Sequence, residues 1–338
     1  MNRFYASTAS LLLCGTIAAG IALTRSQSPS AAFAQGTSSS FRMPAIAQPQ
    51  ANTSDCRTRQ TIRATAGAAP VKGLCVAAGT MLVNARNVTG FVLSDVVARG
   101  YGPLLRGDTV PDLQVVRVSA TAARADPVLG LGLVNVSNGI GKAVFRDLVW
   151  IGDPASPAVN DADAWAAIAL KGKDANDTGT FEIRNFDFRN LTMAKGSNYQ
   201  NVDGISTEGG YSGLIADGSV SNASDACLDI KGAVRVDNVR LEGCREGMKI
   251  WSDQKHGLIE LGTNSFVGII GKGSRNQRRR IEIDVLIVTG NPKVPLFRAE
   301  DGPVTLHIRR LVASSSQILN STSSFAGSDV TVDQRVNN

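Results

Sequence analysis

The sequence predicts an all-β chain, and within that class a single-stranded right-handed parallel β-helix. Three observations carry the prediction. A motif recurs: Asp203-Gly204-Ile205-Ser206-Thr207-Glu208 is followed by Asp225-Ala226-Cys227-Leu228-Asp229-Ile230-Lys231, then by Gly247-Met248-Lys249-Ile250-Trp251. Ile205 and Leu228 are 23 residues apart and Leu228 and Met248 are 20 apart, the size of stacked coils that cannot bury an apolar face alone. Between the copies lie second strand-like runs, such as Leu214-Ile215-Ala216-Asp217-Gly218-Ser219-Val220 and Val234-Arg235-Val236-Asp237-Asn238-Val239. Aromatic residues make up only 5% of the chain, as a narrow interior requires, and no amphipathic helix exceeds about three turns.

Taken in order, residues 1–34 read as a signal peptide. Arg3 starts it, residues 11–23 form a 13-residue apolar run, and Ala32-Phe33-Ala34 supplies a small-x-small cleavage site. The run falls short of the ~20 residues of a spanning helix. The expectation is a secreted or periplasmic protein with no integral membrane segment after cleavage. Removal of Arg3 and Arg25 lowers the net charge from +6 to +4, since the first acid is Asp55. Residues 35–54, rich in Ser, Gln, Ala and Pro, read as a flexible linker. The β-helix domain is expected over 55–338.

Within that domain short β-type runs follow one another, separated by Gly, Asn and Asp. Examples are Gly90-Phe91-Val92-Leu93, Leu131-Gly132-Leu133-Val134-Asn135-Val136, Phe181-Glu182-Ile183-Arg184-Asn185-Phe186 and Val304-Thr305-Leu306-His307-Ile308. A β-sandwich would need hairpin turns and non-repeating registers, so the repeat decides for the β-helix. At roughly 22 residues per coil, about a dozen coils fit. Four cysteines remain after cleavage. They permit Cys56–Cys75 and Cys227–Cys244, the sequence-near choice among three connectivities, or four buried thiols.

Aligning the coils stacks Ile205, Leu228 and Met248 inside, and Thr207, Ile230 and Ile250 beside them. Ser206, Asp229 and Lys249 then form one outer column, and Glu208, Lys231 and Trp251 a second. Acids, amines and an indole on a flat sheet suit a sugar chain; the bland alternative is a ladder of ion pairs, Glu208–Lys231 and Asp229–Lys249. His256 and His307, the only histidines, are too isolated for a His-rich metal site and read as one loop and one strand residue. Trp150 and Trp165 read as structural. A nucleic acid partner is not expected, because basic residues are not interleaved with aromatics. A monomer is expected.

At these residues the chain resembles the pectin-lyase-like β-helix proteins. Asn201-Val202-Asp203-Gly204-Ile205, Ser224-Asp225-Ala226-Cys227-Leu228-Asp229-Ile230-Lys231-Gly232 and Met248-Lys249-Ile250-Trp251 are similar to the motifs of secreted pectate lyases. The resemblance implies β-elimination on uronate-containing, acidic polysaccharide. It implies Asp203 and Asp225 as Ca²⁺ ligands and Lys249, Lys231 and an arginine of Arg278-Arg279-Arg280, Arg280, as catalytic residues; Glu208, Asp229 and Trp251, from the outer columns, and Arg279 are expected to bind substrate. Lysine serves as base only if its pKa is lowered, which clustering of Lys231, Lys249 and Arg280 would do. Ser224 stands where that family has a second acid.

The same segment also resembles polygalacturonases: Asn201-Val202-Asp203-Gly204 and Asp225-Ala226-Cys227 match in part, and Cys227 and Cys244 match the positions of a disulfide there. Arg245-Glu246-Gly247 replaces that family's Gly-His-Gly. The alternatives to elimination are therefore glycoside hydrolysis and a non-catalytic β-helix that binds glycan or another surface polymer.

Overall fold

Twenty-one strands form, and no helix forms among the described residues. In chain order they are β1 (Ile62–Ala64), β2 (Val71–Gly79), β3 (Val83–Arg86), β4 (Val92–Tyr101), β5 (Leu105–Asp108), β6 (Gln114–Ala123) and β7 (Val134–Ser137). There follow β8 (Gly141–Gly152), β9 (Ala166–Leu170), β10 (Gly179–Leu191), β11 (Asp203–Thr207), β12 (Tyr211–Ala223), β13 (Ala226–Ile230) and β14 (Val234–Glu242). The last are β15 (Glu246–Ile250), β16 (Gln254–Leu261), β17 (Val267–Ile270), β18 (Arg279–Val288), β19 (Phe297–Glu300), β20 (Val304–Ala313) and β21 (Asp329–Asn337). This is a computed structural model, and it describes residues 40–124, 132–158, 166–172, 178–194, 201–262, the backbone of 267–270, and 277–338. The signal-peptide expectation, Leu131 and Trp165 lie outside the described residues.

Successive strands alternate between two sheets. The odd-numbered strands β1 to β19, three to five residues each, build a ten-stranded sheet; the even-numbered strands and β21 build an eleven-stranded sheet of longer strands. We call them the short and long sheets. Every pairing within either sheet is parallel, for instance β11 with β13 and β12 with β14. One short and one long strand per turn, stacked in parallel, is the connectivity of a parallel β-helix. Ten short strands make fewer coils than the dozen expected, because some coils are longer: the register partners Ile168 and Ile205 are 37 residues apart.

Between the sheets lies one continuous core. In the short sheet Val83, Leu105, Val134, Ile168, Ile205, Leu228 and Met248 stack in register, all fully buried. The long sheet contributes Leu93, Val115, Phe145, Ile183, Ile215 and Val236 in one column. Stacking like on like lets each coil cover its neighbour's apolar face, which no coil does alone.

The long strands do not keep a simple alternation. In β10, Phe181 and Ile183 point inward, and then Phe186 and Phe188 do; the parity reverses across Asn185. Asn185 has a φ of 54°, and its neighbours in the stack, Asp95, Arg117, Asp147, Asp217 and Asn238, lie between 51° and 59°. The flanking registers place all six in one column, a left-handed corner repeated coil after coil. Asn and Asp tolerate this conformation better than other non-glycine residues, and their side chains bond along the column: Asn185 Nδ2 to Asp147 Oδ1 at 3.2 Å, Asn238 Nδ2 to Asp217 Oδ1 at 2.8 Å. Just past the corner Gly218 lies under the Phe186 ring, where a Cβ would meet Phe186 Cδ1 at 2.4 Å. The Asn and Asp residues that punctuate the sequence are thus corners inside strands as well as turns between them.

Residues 42–50, part of the linker expected to be flexible, are placed along this corner. The Gln50 N–H donates to Asp95 Oδ1 and the Ala47 N–H to Asp147 Oδ1, both at 3.2 Å; Asn238 Nδ2 donates to the Arg42 carbonyl at 2.9 Å. Residues 42–50 therefore run across the coils, taking up corner side chains whose polar atoms would otherwise face water. Composition alone did not reveal this, because the partners are far away in sequence.

Two disulfides, Cys56–Cys75 at the start of the domain and Cys227–Cys244 between β13 and β15, suit an oxidising environment. Both histidines are strand residues: His307 lies in β20, and His256, in β16, is fully buried. Trp150 is fully buried, as expected. Among the described residues no helix is long and apolar enough to cross a membrane.

Candidate functional site

The three motif copies become β11, β13 and β15, adjacent in the short sheet. Ile205 pairs with Leu228 and Leu228 with Met248, the register read from the repeat. Ser206, Asp229 and Lys249 consequently form one outer column, continued by Gly268 of β17 and Arg298 of β19. Gly268 carries no side chain, so Arg298 reaches back across that coil to Glu246, with Nη2 at 3.4 Å from Oε1.

Acidic residues gather where these strands begin. Asp203 opens β11, Asp225 immediately precedes β13, and Glu246 opens β15; their exposures are 3%, 2% and 5%. Asp203 Oδ1 accepts the Ala226 N–H at 2.9 Å, which ties the start of one strand to the next coil. The Lys249 ammonium bonds Asp225 Oδ2, and Arg245 Nη1 stands 3.8 Å from Oδ1 of the same carboxylate. That Oδ1 is buried and receives no hydrogen bond among the described residues.

The second outer column carries the aromatic side. Lys231 Nζ bonds Glu208 Oε1 at 2.6 Å and sits 5.3 Å above the Trp251 ring, while Trp251 Nε1 donates to Asp229 Oδ1 at 2.6 Å. The Glu208–Lys231 rung of the expected ladder therefore forms. The Asp229–Lys249 rung is replaced: Lys249 turns to Asp225, and the indole takes Asp229.

Burial governs the electrostatics. It pushes the Asp203 carboxyl well above the ordinary carboxylate range, helped by the negative charges of Asp229 and Asp225 and opposed by Lys249. Asp229 is raised by burial against the pull of Lys231 and Lys249, and Glu246 is raised by burial and by Asp225 against Lys249 and Arg298. For both lysines burial favours the neutral amine, but the surrounding carboxylates outweigh it. Asp229 and Glu208 raise Lys231, and Asp225 raises Lys249. The expected lowering of a lysine pKa by like-charge repulsion is thus corrected: each ammonium has acids, not cations, beside it.

Arg279 and Arg280 are not brought to this cluster. Both open β18 of the long sheet, where Arg280 pairs with Glu282 at 3.1 Å and donates its N–H to Asp253. Ser224, at the position of the missing second acid, accepts the Met193 N–H at 2.7 Å and so serves the turn. For calcium, among the described residues no group of three or more His, Cys, Asp or Glu side chains is arranged to hold a metal ion. The Lys249 ammonium already occupies Asp225, so the residues present do not fit Ca²⁺.

Comparison with models of known protein families, with curated proteins and with solved structures finds no match. The site therefore rests on its own geometry. That geometry adds three residues that reading the motifs missed, Glu246, Arg245 and Arg298. Glu246 was within reach, because the repeat already placed it opposite Ala226; Arg298 was not, since it lies 52 residues further along the chain.

Proposed function

We propose that the chain is an exported, single-stranded right-handed parallel β-helix protein that hydrolyses uronate-containing polysaccharide on the outer face of the short sheet. Right-handed crossovers between parallel strands are the rule for L-residues, and the two disulfides fit export. The observation that carries the chemistry is the pairing of Asp225 with Glu246 in adjacent coils, in unequal environments. Lys249 and Arg245 set two cations against Asp225, while burial and the Asp225 charge raise the pKa of Glu246. Two carboxyls in adjacent coils, one facing cations and the other buried beside it, suit a base and an acid.

In this reading Glu246 gives its proton to the glycosidic oxygen. Asp225 takes a proton from the water that adds to the anomeric carbon. Lys231 and the Lys249 ammonium hold substrate carboxylates, and Trp251 stacks on a sugar ring. Elimination has less support, because both lysines are engaged by acids, Lys231 by Glu208 and Lys249 by Asp225.

The test is incubation of the purified protein with polygalacturonate, alginate and hyaluronate. New reducing ends without unsaturated-uronate absorbance, lost in Glu246→Gln, are expected. Growth of that absorbance would overturn hydrolysis in favour of a lyase. Binding with neither product would leave a non-catalytic glycan-binding protein.

A further inference from the structure

The column that holds Asp229 and Lys249 continues to the other end of the short sheet, where its character changes. Arg63 of β1, Asn84 of β3, Arg106 of β5 and Asn135 of β7 stack in register, and Asn135 leads through Ala169 and Ser206 to Asp229. Arg86 stands beside them, opposite Asp108 in the next coil. Arg63, Arg86 and Arg106 are exposed, and none makes an ion pair or side-chain hydrogen bond among the described residues. Even Asp108 is occupied elsewhere: its Oδ1 accepts from Asn138 Nδ2 at 2.7 Å and from Thr109 Oγ1 at 3.1 Å.

Five arginines of the long sheet, Arg117, Arg184, Arg189, Arg240 and Arg309, are by contrast ion-paired. A shallow cavity of about 330 Å³ opens here, lined by Arg63, Ala64, Thr65, Asn84 and Arg86. Neighbouring coils lie about 4.8 Å apart, so Arg63 and Arg106, two coils apart, project at roughly 10 Å, the scale of two sugar rings. Amides between them present donors and acceptors suited to hydroxyl groups.

We propose that this arginine–asparagine tract is a second binding site for acidic polysaccharide, collinear with the carboxyl–lysine cluster, so that one extended polymer lies across both. The inference rests on the substrate class proposed above. The tract's three arginines outnumber its one acid, as an anionic ligand requires. Its residues include no aromatic platform, which single-stranded nucleic acid would use.

The test measures binding of the full chain to long polygalacturonate, alginate and hyaluronate, and to short oligomers of each, over a salt series. The variant is Arg63→Gln/Arg86→Gln/Arg106→Gln, with the corresponding triple lysine variant as control. All three side chains are exposed, so folding is expected to survive, and a thermal melt checks it. The glutamine variant is expected to lose tenfold or more in affinity for long polymer and to show a shallower salt dependence. Its affinity for oligomers that span only the cluster should be unchanged, and the lysine variant should retain most of the long-polymer affinity. Unchanged long-polymer binding in the glutamine variant overturns the tract and leaves the proposed hydrolysis standing. Loss of that binding in a protein that releases no product supports the tract and sinks hydrolysis. Binding of none of these polymers by the wild type overturns both, and arginine-dependent preference for single-stranded DNA overturns the polysaccharide as occupant.

Discussion

On the long sheet Arg117 and Arg184 pair with Asp95 and Asp217 while their own side chains stay 35% exposed; on the short sheet Lys249 pairs with Asp225 at exposures of 14% and 4%. The same kind of contact has different consequences. A solvated pair gains little over its two hydrated ions, because water screens both. A buried pair has given up hydration and depends on its partner, so removing one member strands the other in a poor solvent. Along one face of the molecule, ion pairs decorate coils that the core already holds. Along the other, they are part of how the coils meet.

The widest test of that difference is Lys249→Met, which leaves Asp225 without its closest counter-charge. It is expected to cost about 3–5 kcal/mol in urea unfolding, and adding Asp225→Asn should recover much of the loss. A cost under about 1 kcal/mol would mean that the buried pair behaves like a surface one.

Next in size is a pH effect of opposite sign in the two sheets. His256, buried in the long sheet with Nδ1 accepting the Val236 N–H, has its pKa lowered from 6.5 to about 3, chiefly by burial. The unfolded chain therefore binds the proton more readily, and this contribution to stability is lost as pH falls from 6.5 toward 3. It amounts to something on the order of 4 kcal/mol. Asp95, lowered to about 2 by Arg117, adds to the same acid loss below 3.8. Asp203, Asp229 and Glu246 act the other way: their raised pKa values favour the folded state in acid, and that contribution is lost as pH rises through them. Unfolding midpoints across pH should show His256→Gln flattening the acid limb and Asp203→Asn flattening the neutral one. If both variants track the wild type, neither group is linked to folding.

A smaller effect is expected from Cys227→Ala/Cys244→Ala. This disulfide closes a separation of 17 residues beside the acidic cluster, and its loss should cost about 3 kcal/mol. Measured alongside product release, it asks whether the cluster needs the staple or only the sheet. Smallest is Arg184→Met on the long sheet, expected to cost about 0.2–1 kcal/mol despite its contacts with Glu182 and Asp217. A loss as large as that of Lys249→Met would erase the distinction between the two faces.

The parallel coils, the inner columns and the register of β11, β13 and β15 were legible in the sequence, since stacked coils repeat their apolar pattern and a strand's facing follows from parity. The gathering of Asp203, Asp225, Asp229, Lys231 and Lys249 on one face followed from the same register. The tertiary structure alone decided which charge meets which: Lys249 takes Asp225 and not Asp229, Trp251 takes Asp229, and Arg298 crosses a glycine coil to Glu246. It also decided that Arg280 belongs to the other sheet, that Asn185 and its column bend their strands, and that residues 42–50 lie along that bend. The physical reason is the range of the determinants. Apolar periodicity is written locally and read locally. Side-chain pairing, burial and the resulting pKa shifts depend on atoms brought together from coils that are distant in sequence.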